Sequence, residues 1–503
     1  MEFNTFALYF KVVVSKRISY FFQTLAVVFI SVLCFLFLKE VLPKRIFSEA
    51  KATAKNVVID SVLLEAVALD EKTERKAEKT VDTFRRKKIV FEQIDGITFP
   101  PEAYEQYKGF QFLIPFFEKL YLLETEQKGD VRIAYFGDSM TDGDMIVQDF
   151  RNSLQSQFGG KGVGFVSITS ESAGSRSSVS HQYSGNWKTQ SYLNVKKPLK
   201  PFGVNGHVFF ANDTVSDPWV NYKAGNRMHT DQLNSPTLFY GYSDNKNGEL
   251  IVKTGKDTMV KKLSPDKLLN TLTITNNNLK SFKASFHLAD SIPVYGFNFD
   301  DGKGVHVDNF SNRGNSGLPI STFNVKLMNQ FQERFDYDLI ILHYGTNVLN
   351  YGSYNYDWYE RSMTRVVNHL KECFPGVTVL VISTADKATK YDLEMKTDSA
   401  VVPLTLAQRK YAVQSKSGYF NLYEAMGGEG SITKWVEQEV PAMAAKDYTH
   451  FSYRGAQKVA GMLYQQIQSG YTQYKEMRKN RKINPPKAAV DSVSSKTTTA
   501  NVQ

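Results

Sequence analysis

The chain is 503 residues long, with 42% apolar and 22% charged residues. That length exceeds one simple domain, and the composition is that of a folded protein, which excludes a wholly disordered or fibrous chain. The formal net charge is +10, but the basic excess lies before residue 89 and after residue 474, so the near-neutral body between them carries no basic nucleic-acid groove.

Residues 1–17 form a short N-terminal segment, expected on the cytoplasmic side. Ile18 to Leu38 then reads "ISYFFQTLAVVFISVLCFLFL", a run without a charged residue. As a helix it would be about 31 Å long, enough to cross the hydrocarbon core. Lys16, Arg17 and Lys39 bound it, and no small-residue cleavage site follows closely. An uncleaved transmembrane anchor is therefore expected over 18–38 rather than a signal peptide. Basic residues flank it almost equally. The short N-terminus favours N-in, C-out, a single-pass protein of the bacterial inner membrane with its body in the periplasm.

Residues 39–99 are rich in Lys, Glu and Ala, with apolar Val57, Val58, Val62, Leu63, Leu64 and Val67 among them. They read as a charged helical stalk. Pro100-Pro101 breaks the chain, and 100–166 opens an α/β unit. Its first helix, over 102–126, carries an apolar face (Phe110, Leu113, Phe116, Phe117, Leu120) and is expected to kink or divide at Pro115. Strands are expected at Val131–Phe136, Leu339–His343, Val377–Ser383 and Tyr419–Leu422. Helices follow near 145–158, 356–373, 404–416 and 453–469. Continuous apolar strands alternating with amphipathic helices predict a parallel sheet covered on both faces. Residues 167–300 interrupt that pattern. Short Thr-, Val- and aromatic-bearing runs split by Gly, Asn, Asp and Pro predict an all-β sandwich inserted into the α/β unit, which resumes over 301–474. The tail, 475–503, is polar and basic and is expected to be disordered. Cys34 and Cys373 stand in separate regions and offer neither a bridge nor a zinc spacing.

The first α/β strand ends in "FGDSM", with Ser139 at the strand-to-helix turn. Open α/β sheets bind ligands at the carboxyl ends of their strands. Ser139 is then either a nucleophile or a helix N-cap. A serine nucleophile needs a base, and the base an orienting carboxylate. Of the eight histidines, His343 ends a buried strand and His369 lies on a helix face, both positions that suit structural roles. His450 is different. In "KDYTHFSYRG" it follows Asp447 by three residues just before a helix, so one loop can hold a carboxylate beside an imidazole.

"GDS" after a first strand with "DYTH" near the domain end resembles the SGNH (GDSL-type) hydrolase superfamily. Two further motifs support this. Gly345-Thr346-Asn347 matches the third-strand Gly-x-Asn, and Asn312, Gly314 and Gly317 in "NRGNSG" resemble the preceding motif. The resemblance covers about 130–166 and 301–470. It implies a three-layer, flavodoxin-like α/β fold, interrupted here by the β-sandwich. It also implies acyl-ester chemistry with Ser139 as nucleophile, His450 as base and Asp447 as the residue that orients it. The N–H groups of Ser139 and Gly317 and the Asn347 amide would form the oxyanion hole, with Gly314 the neighbouring alternative to Gly317. Met140 replaces a frequent Leu, and Val348 replaces a frequent Asp. Neither position carries the chemistry.

The anchor and the insert resemble bacterial SGNH enzymes that remove O-acetyl groups from cell-wall polysaccharide, including peptidoglycan. Trp187, Tyr192, Trp219, Tyr222, Tyr240 and Tyr242 are candidates for stacking on sugars, though core packing competes for each. The alternative sends the acyl group to a sugar, as in partners of membrane-bound O-acyltransferases. A third reading is a binding factor with a disused site. The expected partners are an O-acylated glycan and the membrane. No metal or organic cofactor is implied.

Overall fold

The computed structural model describes residues 60–73, 88–127, 129–212, 215–349 and 355–481, together with Leu25 and 27–31. Contacts divide the chain into two compact units, Met1–Val57 and Val58–Gln503. In the first, Leu25, Val27, Val28, Phe29 and Ile30 are helical and exposed. The rest of the expected anchor, 18–38, lies outside the described residues, as do 1–17 and 482–503. Among the described residues no helix is long and apolar enough to cross a membrane.

The second unit is built on five strands: β1 (Asp130–Gly137), β2 (Gly304–Asn309), β3 (Tyr337–His343), β4 (Thr378–Ile382) and β5 (Gly418–Phe420). They form one parallel sheet in the order β2-β1-β3-β4-β5. The strand order reverses beside β1, which makes the carboxyl ends of β1 and β3 the place for a ligand. Residues 131–137 and 337–343 are buried throughout, as strands covered on both faces must be. Helices α2 (Ile114–Glu126), α3 (Val147–Phe158) and α7 (Tyr453–Lys479) pack together as one layer. Helices α4 (Val325–Phe335), α5 (Asp357–Cys373) and α6 (Val401–Gln414) pack as another.

Two further sheets lie between β1 and β2 in the chain. The antiparallel sheet of Asp257–Lys262, Glu249–Thr254, Ser281–His287, Trp219–Ala224 and Val179–Tyr183 faces a six-stranded one whose members include Val294–Phe299, Thr237–Gly241 and Gly164–Ser167. Phe209, Leu238, Leu250, Phe282 and Phe297 fill the space between them. The other face of the six-stranded sheet is also apolar. Phe165, Tyr192, Phe239 and Tyr295 join the core of the α/β unit, and Phe239 stacks on Phe335 of α4 at 4.7 Å. The insert and the α/β layers thus share buried surface.

Four expectations are revised. Pro115 sits in the first turn of α2, where its missing N–H costs nothing, so it starts the helix instead of kinking it. Preceding it are two short 3₁₀ turns, Tyr104–Gln106 and Phe110–Leu113. Helix α7 runs past 474 to Lys479, because Tyr471 and Tyr474 are buried and Arg478 pairs with Glu118. β2 and α4 were not anticipated. Within 39–99, the helix α1 (Ser61–Thr73) follows a buried Asp60, and Leu63 is buried against the α/β unit. That start of the segment is docked rather than a free stalk.

Arg132 on β1 ties insert and sheet together. Its guanidinium donates to both oxygens of Asp308 on β2 and to Asp300 and Asn298 at the end of the insert. It also lies 4.2 Å from the Phe335 ring. A buried cation so enclosed is costly to remove because its carboxylates are left uncompensated. Arg132→Ala is expected to destabilise the fold by about 3–5 kcal/mol. Denaturant unfolding measures this, and an unchanged midpoint would show the network to be dispensable.

Candidate active site

β1 ends at Gly137, where a Cβ would meet Thr141 Oγ1 at 2.1 Å. The chain turns there through Asp138 and Ser139. Asp138 is buried, and its Oδ1 accepts the Met140 N–H at 2.9 Å. Burial pushes Asp138 up to about 6, opposed by the Met140 N–H, the charge of His450 and hydrogen bonds from Thr346. Met140 and Val348, the two departures from the motif, are both buried apolar side chains.

The loop before α7 brings the expected base to this turn. Ser139 Oγ stands 2.9 Å from His450 Nε2. His450 Nδ1 stands 2.7 Å from Asp447 Oδ2, and Asp447 Oδ1 accepts the N–H groups of Thr449 and His450. With the Nδ1 proton held by Asp447, Nε2 is free to accept from the serine hydroxyl. The hydrogen bond to Asp447 raises the pKa of His450, with burial opposing, Asp138 adding to the rise and Arg313 working against it. Burial alone would raise Asp447, but the hydrogen bonds from His450 and Thr449 pull it down to about 2. Ser452 caps α7 by accepting the Gly455 N–H, which fixes where the loop ends.

The loop after β2 supplies the third wall. Asn312 N–H donates to the carbonyl of Gly137, so this loop passes the turn that carries Ser139. The expected donor Gly317 does not face that turn. Its N–H is given to Asn315 Oδ1 at 2.9 Å, and a Cβ there would meet the Tyr344 ring and Met363. Gly317 packs inward, and the expectation is corrected. Gly314, at φ +79°, and Ser139 make no backbone N–H hydrogen bond among the described residues. Asn347, in the turn after β3, donates from Nδ2 to the Asn315 carbonyl at 3.1 Å, which leaves its second amide proton without a partner among the described residues.

Sequence reasoning missed the part that three residues play in shaping this loop. Asn315 donates to the Tyr192 and Tyr344 hydroxyls at 2.8 and 3.3 Å. Tyr192, offered by the sequence as a sugar-stacking residue, is buried and stacks on Phe323. Asp60, only 2% exposed, accepts the Ser316 N–H and hydroxyl on one oxygen and the Val62 and Leu63 N–H groups on the other. Nothing in its surroundings in the chain marks Asp60, since its partner lies 256 positions away. Of the other aromatic candidates, Tyr222 and Tyr240 are buried and Tyr242 is exposed. His343 is buried with Nδ1 2.8 Å from the Tyr135 hydroxyl, and His369 contacts the Phe323 carbonyl, both structural arrangements. No cluster fit for a metal ion occurs among the described residues.

Beside the turn after β1 a cavity of about 360 Å³ opens between the α/β unit and the insert. Asp142, Asn312 and Arg313 line one side, and Ser170, Ser172 and Thr189 the other.

No family model and no curated protein sequence matches the chain. Among solved structures, a peptidoglycan O-acetylesterase is similar at 23% identity with a TM-score of 0.59, covering 71% of this chain and 96% of the other. A family two carbohydrate esterase from Cellvibrio japonicus is similar at 11% identity with a TM-score of 0.23, over 59% of this chain and 98% of that one. The chain thus shares the fold of that esterase.

Asp60→Ala leaves the buried Ser316 N–H and hydroxyl without an acceptor. A loss of about 1–3 kcal/mol in stability is expected. It is measured by thermal unfolding of the full chain against Glu65→Ala, an exposed change on the helix that follows Asp60. Equal effects of the two would show the Asp60 contact to be inert.

Proposed function

We propose that the protein is a membrane-anchored, extracytoplasmic serine esterase of the SGNH type, removing O-acetyl groups from a cell-envelope polysaccharide such as peptidoglycan. The observation that carries this reading is the continuous contact from Ser139 Oγ through His450 to Asp447. The fold shared with a peptidoglycan O-acetylesterase supports the substrate class, and the uncharged run 18–38 supports the anchor.

The mechanism follows from the groups present. Ser139 Oγ attacks the acetyl carbonyl carbon while His450 Nε2 takes the hydroxyl proton. The carbonyl oxygen gains the negative charge and is met by the N–H groups of Ser139 and Gly314 and by the free Asn347 amide proton. Collapse of this intermediate breaks the bond to the sugar oxygen, which takes the proton from His450. Water then attacks the acetyl-serine ester and passes one proton to His450; the bond to Ser139 Oγ breaks, Oγ takes that proton back from His450, and acetate leaves. Asp447 holds the imidazole in the tautomer that each proton transfer needs.

Spheroplasts bearing the full chain are expected to release acetate from added O-acetylated peptidoglycan fragments too large to cross the membrane. Ser139→Ala should cut that release by at least about a thousandfold. Release by both proteins alike would refute the nucleophile, and release only after lysis would refute the orientation.

The base works only when neutral, so kcat/KM should rise with pH through a value above the usual histidine range. Asp447→Asn removes the largest influence raising that value. The acid limb should move to lower pH while the plateau falls. A limb that stays in place would assign the titration to another group.

A further inference from the structure

Ser316, on the loop after β2, is held by a residue from outside both the α/β unit and the insert. It is fully buried, and each of its polar groups has a partner. Its N–H and hydroxyl donate to Asp60 Oδ2, its carbonyl accepts the Tyr359 hydroxyl of α5 at 2.8 Å, and its Oγ accepts the Leu318 N–H at 3.3 Å. The other oxygen of Asp60 accepts the Val62 and Leu63 N–H groups at 3.1 and 2.9 Å. One buried carboxylate therefore caps α1 and anchors the loop. The start of α1 has little room to move. Ser61 N–H donates to the carbonyl of Leu193 in the insert at 3.2 Å, beside Tyr192. Leu63 is buried, and the helix packs on α5 and on the 3₁₀ turn Leu318–Thr322.

Gly314 lies between two fixed points of this loop. On one side Asn312 N–H is bound to the Gly137 carbonyl at 3.0 Å, and on the other Ser316 is bound to Asp60. At φ +79° Gly314 itself offers little resistance to displacement, so its N–H is placed by the ends that hold it. The Asn315 carbonyl, next to Ser316, takes the Asn347 amide at 3.1 Å. A shift of Ser316 therefore moves both the Gly314 N–H and the Asn347 amide relative to Ser139. Such donors lower a barrier only when they are already in place, and a misplacement of about 1 Å costs on the order of a hundredfold in rate.

We propose that Asp60 is a positioning residue for the reaction: by anchoring Ser316 it sets the Gly314 and Asn347 donors, so the segment ahead of the α/β unit completes the oxyanion-binding loop. This rests on the esterase reading above and extends its machinery to a residue that touches neither substrate nor the reacting atoms. The contribution belongs to the charge that develops in the transition state. It therefore acts on kcat and leaves KM nearly unchanged.

The test uses the full chain and para-nitrophenyl acetate, below the unfolding temperature of every variant. Asp60→Asn keeps one oxygen for the Val62 and Leu63 N–H groups but turns an amide NH₂ toward Ser316, so the cap survives and the anchor is lost. Its kcat should fall by about ten- to a hundredfold, with KM held within about twofold. Leu63→Ala is the control, since it removes a buried side chain from the same helix and leaves the hydrogen bonds between Asp60 and Ser316 in place. It should lower the unfolding midpoint at least as far as Asp60→Asn does, yet keep kcat within about twofold of the wild type. An unchanged kcat in Asp60→Asn, or equal kcat losses in the two variants, overturns the proposal. Should Asp60→Asn not fold, Ser316→Ala takes its place, because it keeps the N–H contact and loses only the hydroxyl. A fall of about three- to tenfold in kcat at unchanged KM is expected there, and an unchanged kcat overturns the proposal. Ser139→Ala is run beside them. Hydrolysis by Ser139→Ala at the wild-type rate overturns the esterase reading, whereas an inactive Ser139→Ala beside a fully active Asp60→Asn overturns the role of Asp60 alone.

Discussion

The buried amide of Asn315 sets the shape of the site. Its two amide protons go to the hydroxyls of Tyr192 and Tyr344, its side-chain oxygen takes the Gly317 N–H, and its backbone carbonyl takes the Asn347 amide. Leaving any of these buried groups unpaired would cost about 1–3 kcal/mol. The loop therefore has little freedom once its partners are in place. Those partners come from the insert, from the end of β3 and, through Ser316, from Asp60. Donors that must meet charge as it develops are effective only if they are already in position. Here that position is imposed by elements far apart in the chain.

This gives the insert a role different from that of a tethered recognition module. Phe165, Phe239 and Tyr295 fill the same core as α4, and Tyr192 supports the loop next to Ser139. Arg132 closes the base of the junction with carboxylates from both sides. The cavity beside Ser139 exists because two walls of different origin meet there. One side, with Ser170, Arg176 and Thr189, belongs to the insert, and the other, with Asp142 and Arg313, to the turn after β1 and the loop after β2.

Much of this was legible in the sequence where the signal was local. The strands and helices of the parallel sheet announced themselves as apolar runs and 3.6-residue patterns. Ser139 and the Asp447–His450 pair sit on short motifs whose chemistry is contained within a few residues. What was missed depended on distance. Asp60 has no meaning without Ser316, nor Tyr192 without Asn315. Gly317 was chosen because a glycine suits an oxyanion hole, but its φ of +90° serves a turn packed against Tyr344 and Met363. Two glycines three residues apart offer the same local signal, and only the buried side of the loop separates them. Helix α4 was a different kind of miss. Leu327, Met328, Phe331 and Phe335 have helical spacing, and Asn324 caps the helix by accepting the Leu327 N–H. The pattern was available and was passed over.

Two carboxylates flank the proposed base, and their surroundings separate them. Asp447 receives three hydrogen bonds and is held at about 2, so it remains ionised whether His450 is neutral or protonated. It can orient the imidazole in both states and stabilise the imidazolium that forms. Asp138 is buried and pushed to about 6. Its charge also raises His450. Its hydrogen bonds go to the Met140 and Thr346 N–H groups and the Thr346 side chain, which brace the turn after β1 against the turn after β3. One carboxylate therefore acts on the proton and the other on the backbone. The difference lies in how each is solvated, since the residue type is the same.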